Sequence, residues 1–138
     1  MIIDLKGDMN AKHKNSKQRH AILEMLCASK EHPTAEMIYN ALKPLYPSLS
    51  LGTVYRNLSL FQQEGKVVSV GNVDGHERYD ACTEPHPHLL CRCCRRVTDL
   101  VLPDTVSCLY SQLEQSSGCR VESYNLTFTG LCAQCREQ

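Results

Sequence analysis

Two cysteine pairs with the same internal spacing are the strongest chemical signal in the sequence. They are Cys91-x-x-Cys94 and, near the end of the chain, Cys132-x-x-Cys135. This spacing lets both sulfurs of a pair converge on one ion from a turn, and four thiolates suit the tetrahedral coordination of zinc. One pair alone could be a redox dithiol or a coincidence, but two pairs predict a structural zinc site. Cys93 offers a neighbouring thiol, and the spacing favours Cys94 over it.

A second group of candidate ligands combines imidazole and carboxylate side chains. His86 and His88 lie on one side of an extended segment, because side chains alternate along it. His32, Asp80 and Asp99 are further candidates, at a distance in the sequence. Imidazole with carboxylate suits iron, manganese, zinc or nickel, and five such ligands without sulfur favour iron or manganese. The alternative is that His32 lies at a helix end, Asp80 forms a salt bridge and Asp99 belongs to a turn.

Nine cysteines in 138 residues bear on the compartment as well as on the chemistry. The first residues, MIIDLKGD, contain no apolar signal-peptide region, and no stretch approaches the length of a membrane span. We therefore expect a cytosolic chain, in which thiols stay reduced and disulfides are the minority interpretation. Four cysteines outside the two pairs are expected to be buried packing residues, namely Cys27, Cys82, Cys108 and Cys119.

Capping residues and apolar periodicity predict three short helices in the first half of the chain. Ser16 is expected to cap the first helix, which extends to about Ser29. Thr34 is expected to start the second helix, which stops near Pro44. A third helix follows Ser50, and its apolar residues recur at helical spacing and form one buried stripe, namely Leu51, Val54, Leu58 and Phe61.

A β-hairpin is predicted directly after the third helix. Lys66–Val70 and Glu77–Cys82 have the composition of strands, and Gly71–Gly75 has that of a turn. Three helices followed by a hairpin is the order of a winged helix-turn-helix. Residues 1–70 hold nine Lys/Arg and six Asp/Glu, a net charge of +3, whereas the remainder has −3 and the whole chain 0. The positive front half would suit a DNA-facing surface.

The third helix presents polar residues opposite its apolar stripe, near its N-terminal end. In helix-turn-helix proteins that end of the recognition helix enters the major groove. Arg56 could form a bidentate contact with guanine, and Thr53 or Tyr55 could bond a phosphate or touch a thymine methyl. The alternative is a solvated helix face without a ligand. Basic residues on the first helix favour DNA binding, namely Lys14, Lys17 and Arg19.

From Thr83 onwards the sequence predicts a small unit of mixed helix and strand. Two prolines make residues 84–88 a stiff hinge, because proline restricts both itself and the residue before it. Two strands, a helix and a last strand are expected in that order, at Leu89–Cys91, at Arg96–Leu102, from Pro103 onwards and at Arg120–Phe128. A unit of this size buries a thin core, so we expect a metal or a partner chain to stabilise it.

Taken in order, the motifs resemble those of the ferric uptake regulator family. The resemblance covers about residues 14–135 and rests on five segments, which are Gln18–Leu23, His32–Ala35, Thr53–Leu58, His86–Cys94 and Cys132–Cys135. It implies an α+β fold with a winged helix-turn-helix DNA-binding domain at residues 1–82. A small α/β dimerisation and metal-binding domain is implied at residues 83–138, with a hinge at residues 83–88. It further implies a homodimer that binds a palindromic operator in double-stranded DNA.

The resemblance also implies roles for both groups of candidate ligands. The structural zinc ligands would be Cys91, Cys94, Cys132 and Cys135. A regulatory iron or manganese site joining the two domains would consist of His32, Asp80, His86, His88 and Asp99. Metal bound there would favour the closed geometry that fits the operator, which is a population shift between two conformations.

Asp99 bears on which signal the protein senses. Iron-uptake regulators usually carry Glu at this position, so Asp99 is similar to the peroxide-responsive branch of the family. In that branch bound ferrous iron reacts with hydrogen peroxide, and a ligand histidine corresponding to His32 or His86 is oxidised. Arg56, in contrast, is typical of the iron-uptake branch. We therefore expect a metal-dependent transcriptional repressor that senses hydrogen peroxide, and the alternative is an iron-responsive or other metal-responsive repressor.

Two interpretations from other classes compete with the repressor. A thiol redox protein would use the cysteine pairs, but neither pair is expected to open a helix after a strand, where a lowered thiol pKa would arise. The sequence shows no nucleotide motif either, so we do not expect an enzyme. A zinc-stabilised interaction module without DNA binding would make Tyr55 and Arg56 dispensable.

Overall fold

The computed structural model describes residues 5–101 and 105–138, with side chains over residues 14–101 and 108–138. The chain divides into two compact units, Met1–Thr83 and Glu84–Gln138. In chain order the elements are α1 (Leu5–Ala28), α2 (Ala35–Leu42), α3 (Leu51–Gln63), β1 (Val68–Val73), β2 (His76–Asp80), β3 (His88–Cys91), β4 (Val97–Asp99), α4 (Thr105–Ser117), β5 (Thr127–Gly130) and α5 (Ala133–Arg136).

The first unit packs its three helices around one apolar core. The predicted caps of α2 and α3 are confirmed, because the Thr34 hydroxyl accepts from the Met37 N–H and the Ser50 hydroxyl accepts from the Thr53 N–H, both at 3.1 Å. The stripe predicted on α3 is buried at three of its four positions, and Leu51 packs at its edge. Its fully buried members include Ile22, Leu26, Ile38, Leu58 and Phe61.

Helix α1 begins earlier than the sequence suggested. It runs from Leu5 through Ser16 to Ala28, so the prediction of a helix start at Ser16 is wrong. Residues such as Ala11 and Lys14 have good helix propensity, and no proline interrupts the segment. A residue of the capping type is therefore not enough to start a helix where its neighbours continue one.

The predicted hairpin is present, but its first strand is longer at the C-terminal end and its turn is shorter than expected. Strands β1 and β2 pair antiparallel from Val68–Asp80 to Val73–His76. Asp74 and Gly75 form the turn, with φ of 55° and 83°. Both angles lie in the left-handed region that two-residue hairpin turns require, and Asp-Gly is a preferred sequence for it. The expected turn at Gly71–Gly75 is thus shortened to two residues, and β1 continues through the rest.

The second unit contains a three-stranded sheet in the order β4-β3-β5. Strand β3 pairs antiparallel with β4, where His88 is opposite Asp99, and parallel with β5, where Cys91 is opposite Gly130. The last strand starts at Thr127, so the prediction of a strand from Arg120 is wrong over residues 120–126. The expected helix start at Pro103 lies outside the described residues.

Few of the described side chains of the second unit are buried. Among those described, Pro87, Cys91, Val97 and Cys132 are buried together with His88. Apolar side chains on α4 and β5 remain well exposed, namely Leu109, Leu113 and Phe128. Such a small core agrees with the expectation that this unit depends on a metal or on a partner chain. Over the part of the chain that is described, no helix combines the length and apolarity needed to span a bilayer.

Candidate metal centres and candidate nucleic-acid interface

The four cysteines of the two pairs meet in one cluster. The sulfurs of Cys91, Cys94, Cys132 and Cys135 all lie within 4.8 Å of one another. The Cys94 and Cys132 sulfurs are 3.8 Å apart. A tetrahedral zinc ion with Zn–S bonds of about 2.3 Å requires sulfurs roughly 3.8 Å apart. The cluster therefore fits a zinc ion of the kind that its spacing predicted.

The sheet brings the two cysteine pairs together. Cys91 ends β3 opposite Gly130 of β5, and the Arg92 N–H donates to the Gly130 carbonyl at 2.8 Å. Parallel pairing thus places the end of β3 beside the segment that leads into Cys132. A tight turn follows Cys91, in which the Arg95 N–H donates to the Cys91 carbonyl at 3.0 Å and Arg95 has a φ of 63°. This turn carries Cys94 back towards the Cys91 sulfur.

Backbone N–H groups favour the thiolate form of two of these sulfurs. Hydrogen bonds from the Cys132 and Cys94 backbone lower the pKa of the Cys91 thiol to about 6. The backbone of Cys135 lowers the pKa of Cys132, whereas the neighbouring sulfurs raise the pKa of Cys135. Since zinc binds the deprotonated thiol, a site with two favoured thiolates is arranged for a metal.

The second cysteine pair opens a helix, contrary to the prediction that neither pair does so. Cys132 is the N-cap residue of the short helix α5 and follows strand β5, so the second pair does open a helix after a strand. Its pKa is lowered as such a position implies. The redox interpretation is instead weakened by the convergence of all four sulfurs, because a dithiol enzyme needs only two.

The remaining cysteines do not have the buried packing role that was predicted for them. All four named for that role are exposed to solvent, namely Cys27, Cys82, Cys108 and Cys119. Cys93 is exposed as well, beside the thiol cluster but outside the set of four. A free cysteine has the hydrophobicity of a core residue, so sequence alone could not distinguish the two environments.

In the first unit, His32 and Asp80 form a buried pair. His32 Nδ1 lies 3.5 Å from Asp80 Oδ2, and both side chains are almost fully buried. The second carboxylate oxygen of Asp80 accepts the Cys82 N–H at 2.8 Å, which orients the carboxylate at the end of β2. His32 has a φ of 50°, and its carbonyl accepts from Arg78 Nη1 at 3.3 Å. The backbone is thus held in an uncommon conformation that directs the imidazole towards Asp80.

In the second unit, two histidines converge on one carboxylate oxygen. Asp99 Oδ1 lies 3.0 Å from His86 Nε2 and 3.2 Å from His88 Nε2. The strand register explains the contact of His88 with Asp99, because the two residues are opposite each other on β3 and β4. The two imidazole rings have centroids 4.4 Å apart. All three residues were predicted as candidate ligands from the sequence. The pairing of β3 with β4 brings His88 and Asp99 together, and His86 lies two residues before β3.

The hydrogen bonds of His86 suggest that a cation belongs at this point. Its Nδ1 lies 2.8 Å from the Glu84 carbonyl, which can only accept, so Nδ1 carries the proton. In the neutral ring Nε2 then has a lone pair directed at a carboxylate oxygen. Two facing acceptors at this distance repel each other unless a proton or a metal ion lies between them. Imidazole with carboxylate is a donor set that iron and manganese accept.

The candidate DNA-reading residues lie near the N-terminal end of α3. Tyr55 and Arg56 are exposed, and Thr53 is partly buried beside the Ser50 cap. Lys14 and Lys17 are exposed on α1. The side chains of these five predicted residues therefore reach the surface, and the sixth, Arg19, is partly exposed.

Arg19 is engaged within the first unit. Its guanidinium donates to both carboxylate oxygens of Glu64 at 2.7 Å and lies 4.5 Å above the ring of Phe61. Glu64 caps the C-terminal end of α3, roughly 15 Å along the helix from Thr53. Arg19 is thus held at the other end of α3 from the predicted recognition residues.

Replacing Arg19 with alanine is expected to weaken the fold rather than DNA binding. The exposed ion pair is screened by solvent and adds little, whereas a cation–π contact at an exposed site contributes about 0.5–1 kcal/mol. We expect the free energy of unfolding, measured with urea on the zinc-loaded chain, to fall by about that amount. Lys17→Ala removes an exposed charge nearby and serves as the control. Unchanged stability with a loss of DNA affinity equal to that of Lys17→Ala would instead make Arg19 a DNA contact.

One residue at this surface, Glu36, was not predicted from the sequence. The Tyr55 hydroxyl donates to Glu36 Oε1 at 2.7 Å, so a carboxylate of α2 holds a side chain of α3. The two residues are 19 positions apart, and no sequence motif links them. Glu36 by itself had an ordinary explanation, since acidic residues are favoured in the first turn of a helix.

The chain is similar to known proteins in sequence and in fold. The model of the ferric uptake regulator family matches residues 10–129. The peroxide operon regulator of Bacillus subtilis is 37% identical over 123 residues, covering 88% of this chain and 83% of that protein. The peroxide-responsive repressor PerR of Staphylococcus saprophyticus is 36% identical, with 88% and 81% covered. The crystal structure of the Campylobacter jejuni peroxide stress regulator has a TM-score of 0.78 and 30% identity, over 97% of this chain and 100% of that one.

These matches identify the class of protein, because the family consists of regulators of transcription. The chain is therefore a regulator of transcription and not an enzyme. It belongs to the ferric uptake regulator family. The resemblance inferred from the ordered sequence motifs is thereby confirmed, including the similarity to peroxide-responsive members.

Proposed function

We propose that the protein is a metal-dependent transcriptional repressor that senses hydrogen peroxide. The observation that carries the proposal is the convergence of His86 and His88 on a single oxygen of Asp99. The shorter carboxylate of Asp, in place of Glu, supports peroxide sensing over iron sensing. The matched relatives from Bacillus subtilis and Staphylococcus saprophyticus, both peroxide regulators by name, support it as well.

The first 82 residues would act as a winged-helix DNA-binding domain. The order of three helices and an antiparallel hairpin supports this assignment. We propose that α3 enters the major groove through Thr53, Tyr55 and Arg56, and that Lys14 and Lys17 contact the phosphate backbone. Such contacts would be strongly dependent on salt, because each neutralised phosphate releases counterions.

Residues 83–138 would act as the dimerisation and metal-binding domain, with residues 83–88 as the hinge. Its small buried core and the exposed apolar side chains of α4 and β5 support pairing with a second copy of the chain. A two-fold symmetric dimer would match a palindromic operator, because each protomer reads one half-site.

Two kinds of metal would have separate roles. The thiol cluster fits a structural zinc ion, which would hold the second unit folded. We propose that a regulatory iron or manganese ion has five ligands, two from the first unit and three from the second, which are His32, Asp80, His86, His88 and Asp99. A ligand set drawn from both units would couple metal binding to one arrangement of the two domains, and hence to operator affinity.

Sensing would result from damage to a ligand histidine. Ferrous iron at the regulatory site would catalyse the splitting of hydrogen peroxide, and the two electrons that reduce the peroxide would come overall from the ligand imidazole. The imidazole of His32 or His86 would take up one peroxide oxygen, and the other would leave as water. The added oxygen withdraws electron density from the ring, so the nitrogen becomes a poorer ligand. The arrangement that fits the operator would then be lost, and the repressed genes would be expressed.

Mass spectrometry after anaerobic loading with ferrous iron tests this proposal. After a limiting dose of hydrogen peroxide, we expect one added oxygen on peptides that contain His32 or His86. Protein loaded with manganese or zinc should show none. His20 and His76 are internal controls, since both are exposed and outside the ligand set. Unmodified His32 and His86 in protein with verified iron content would rule out peroxide sensing by this route.

An iron-responsive or other metal-responsive repressor is the second candidate function. Arg56 favours it, because this exposed residue of α3 is typical of iron-uptake regulators. Such a repressor would bind DNA in response to metal without histidine oxidation, so the same experiment separates the two. Arg56→Ala with unchanged operator affinity would instead favour a zinc-stabilised interaction module.

A further inference from the structure

A single carboxylate connects three elements at the surface of the first unit. Glu36 of α2 accepts the Tyr55 hydroxyl of α3 through Oε1 at 2.7 Å. Its other oxygen, Oε2, lies 3.6 Å from Nδ1 of His76, the first residue of β2. Tyr55 and His76 are both exposed, with 42% of Tyr55 accessible to solvent. Glu36 thus ties the helix predicted to read DNA to the helix before it and to the tip of the hairpin.

The Tyr55–Glu36 bond is charge-assisted at neutral pH. The hydrogen bond from Tyr55, with the helix backbone and His76, lowers the pKa of Glu36. The same hydrogen bond raises the pKa of Tyr55. Carboxylate and protonated phenol are therefore the forms present, and such a pair is shorter and stronger than a neutral one.

The hydrogen bond to Glu36 limits the contacts that the Tyr55 side chain can make with DNA. The phenol has one proton, and that proton is committed to Glu36 instead of a DNA phosphate. The ring itself stays exposed on the N-terminal half of α3 and is fixed in direction by its far end. A fixed aromatic ring can make an apolar contact with a base edge, such as the methyl group of thymine.

We infer that Glu36 is a positioning residue for base recognition, which holds the Tyr55 ring in the orientation that reads the DNA sequence. The inference rests on the proposed function, in which α3 enters the major groove. A carboxylate at a surface that faces phosphates repels them, so Glu36 weakens binding to DNA of any sequence. Glu36 therefore increases the selectivity for one DNA sequence and does not increase the overall affinity for DNA.

The acceptor and the charge of Glu36 can be separated by two substitutions. Glu36→Gln keeps an oxygen that accepts from Tyr55 and removes the charge, whereas Glu36→Ala removes both. Glu31→Ala removes an exposed charge of the same unit without contacting Tyr55 and serves as the control. The probe is a fluorescent duplex selected from random DNA by the wild-type protein loaded with zinc and manganese. A scrambled duplex of equal length and composition measures nonspecific binding.

Selectivity is the ratio of the dissociation constants for the scrambled and selected duplexes. We expect Glu36→Ala to reduce this ratio roughly 10-fold, as the loss of one good base contact does. Glu36→Gln should keep most of the ratio, and both variants should bind the scrambled duplex a few-fold more tightly. Replacing each thymine of the selected duplex in turn with deoxyuridine should reveal one methyl group that matters to the wild type and not to Glu36→Ala.

A double-mutant cycle with Tyr55→Phe excludes an indirect structural effect. If Glu36 acts through the phenol, the double variant Glu36→Ala/Tyr55→Phe should lose no more selectivity than the more damaging single variant. Additive losses, or a wild-type ratio in Glu36→Ala, would overturn the inference. Failure of the wild-type protein to select any duplex would instead overturn the proposed function. Equal thermal unfolding of all variants checks that each is folded.

Discussion

Replacing Cys91 or Cys132 with serine is expected to abolish zinc binding and to unfold the second unit. Structural zinc contributes an apparent 10–16 kcal/mol, roughly, in small zinc-dependent peptides. The described part of the second unit buries few apolar side chains, so little else would offset the loss. Cys91 and Cys132 are the two buried members of the cluster. Zinc content by elemental analysis should fall from one ion per chain to none.

Hydrogen exchange resolved by peptide would show where structure is lost. Protection should disappear over residues 84–138 and persist in the helical core around Ile38 and Phe61, because that core is complete within the first unit. Cys93→Ser is the matched control, since Cys93 is adjacent to the cluster but exposed and outside it. Loss of zinc in Cys93→Ser and its retention in Cys94→Ser would show that the zinc ligands were assigned wrongly.

Local signals predicted the first unit well because its elements are defined by near neighbours. Thr34 and Ser50 cap helices through bonds that span three residues, and the α3 stripe is a property of one helix. The Asp74–Gly75 turn likewise needs only its own two residues to adopt positive φ. Where the required partners are close in the chain, the sequence contains the information in a form that can be read directly.

Elements that depend on distant partners were predicted less well. Residues 120–126 were expected to belong to the last strand, yet pairing begins only at Thr127, opposite the first residue of β3. Since β3 has four residues, its partner has four as well, whatever the propensity of the preceding segment. Helix α5 is a single turn, which is too short to show a periodicity.

The candidate sites were likewise predicted well where their residues are close in the chain, and less well where they depend on distant partners. Spacing predicted the thiol cluster because each pair is local and zinc chemistry links the two pairs. Exposure of Cys27 and its counterparts could not be predicted, since burial is a property of the whole fold. The Arg19–Glu64 pair spans 45 positions, so this contact could not be predicted from the sequence. A residue with a distant partner has a structural role that its type alone does not reveal.

Replacing Asp99 with asparagine is expected to abolish the activation of DNA binding by manganese. The substitution removes the negative charge that faces Nε2 of both His86 and His88, so the proposed site would lose one of its two carboxylates, the one in contact with both histidines. Coupling between two ligands usually amounts to a factor of about 5 to 150 in affinity. We expect the selected duplex to bind Asp99→Asn equally with and without manganese, in fluorescence anisotropy, at the level of the metal-free wild type. Zinc content should stay at one ion per chain, because none of the four thiols is changed.

Asp99→Glu is the companion variant, and it separates metal binding from peroxide sensing. It keeps the charge and extends the side chain by one methylene, so manganese should still activate DNA binding. The position of the carboxylate oxygen relative to His86 would shift, however, and we expect slower oxygen addition to that ring after peroxide treatment of the iron-loaded protein. If Asp99→Asn retained full activation by manganese, Asp99 would not be a regulatory ligand. If Asp99→Glu were oxidised as quickly as the wild type, carboxylate length would not be what distinguishes a peroxide sensor from an iron sensor in this chain.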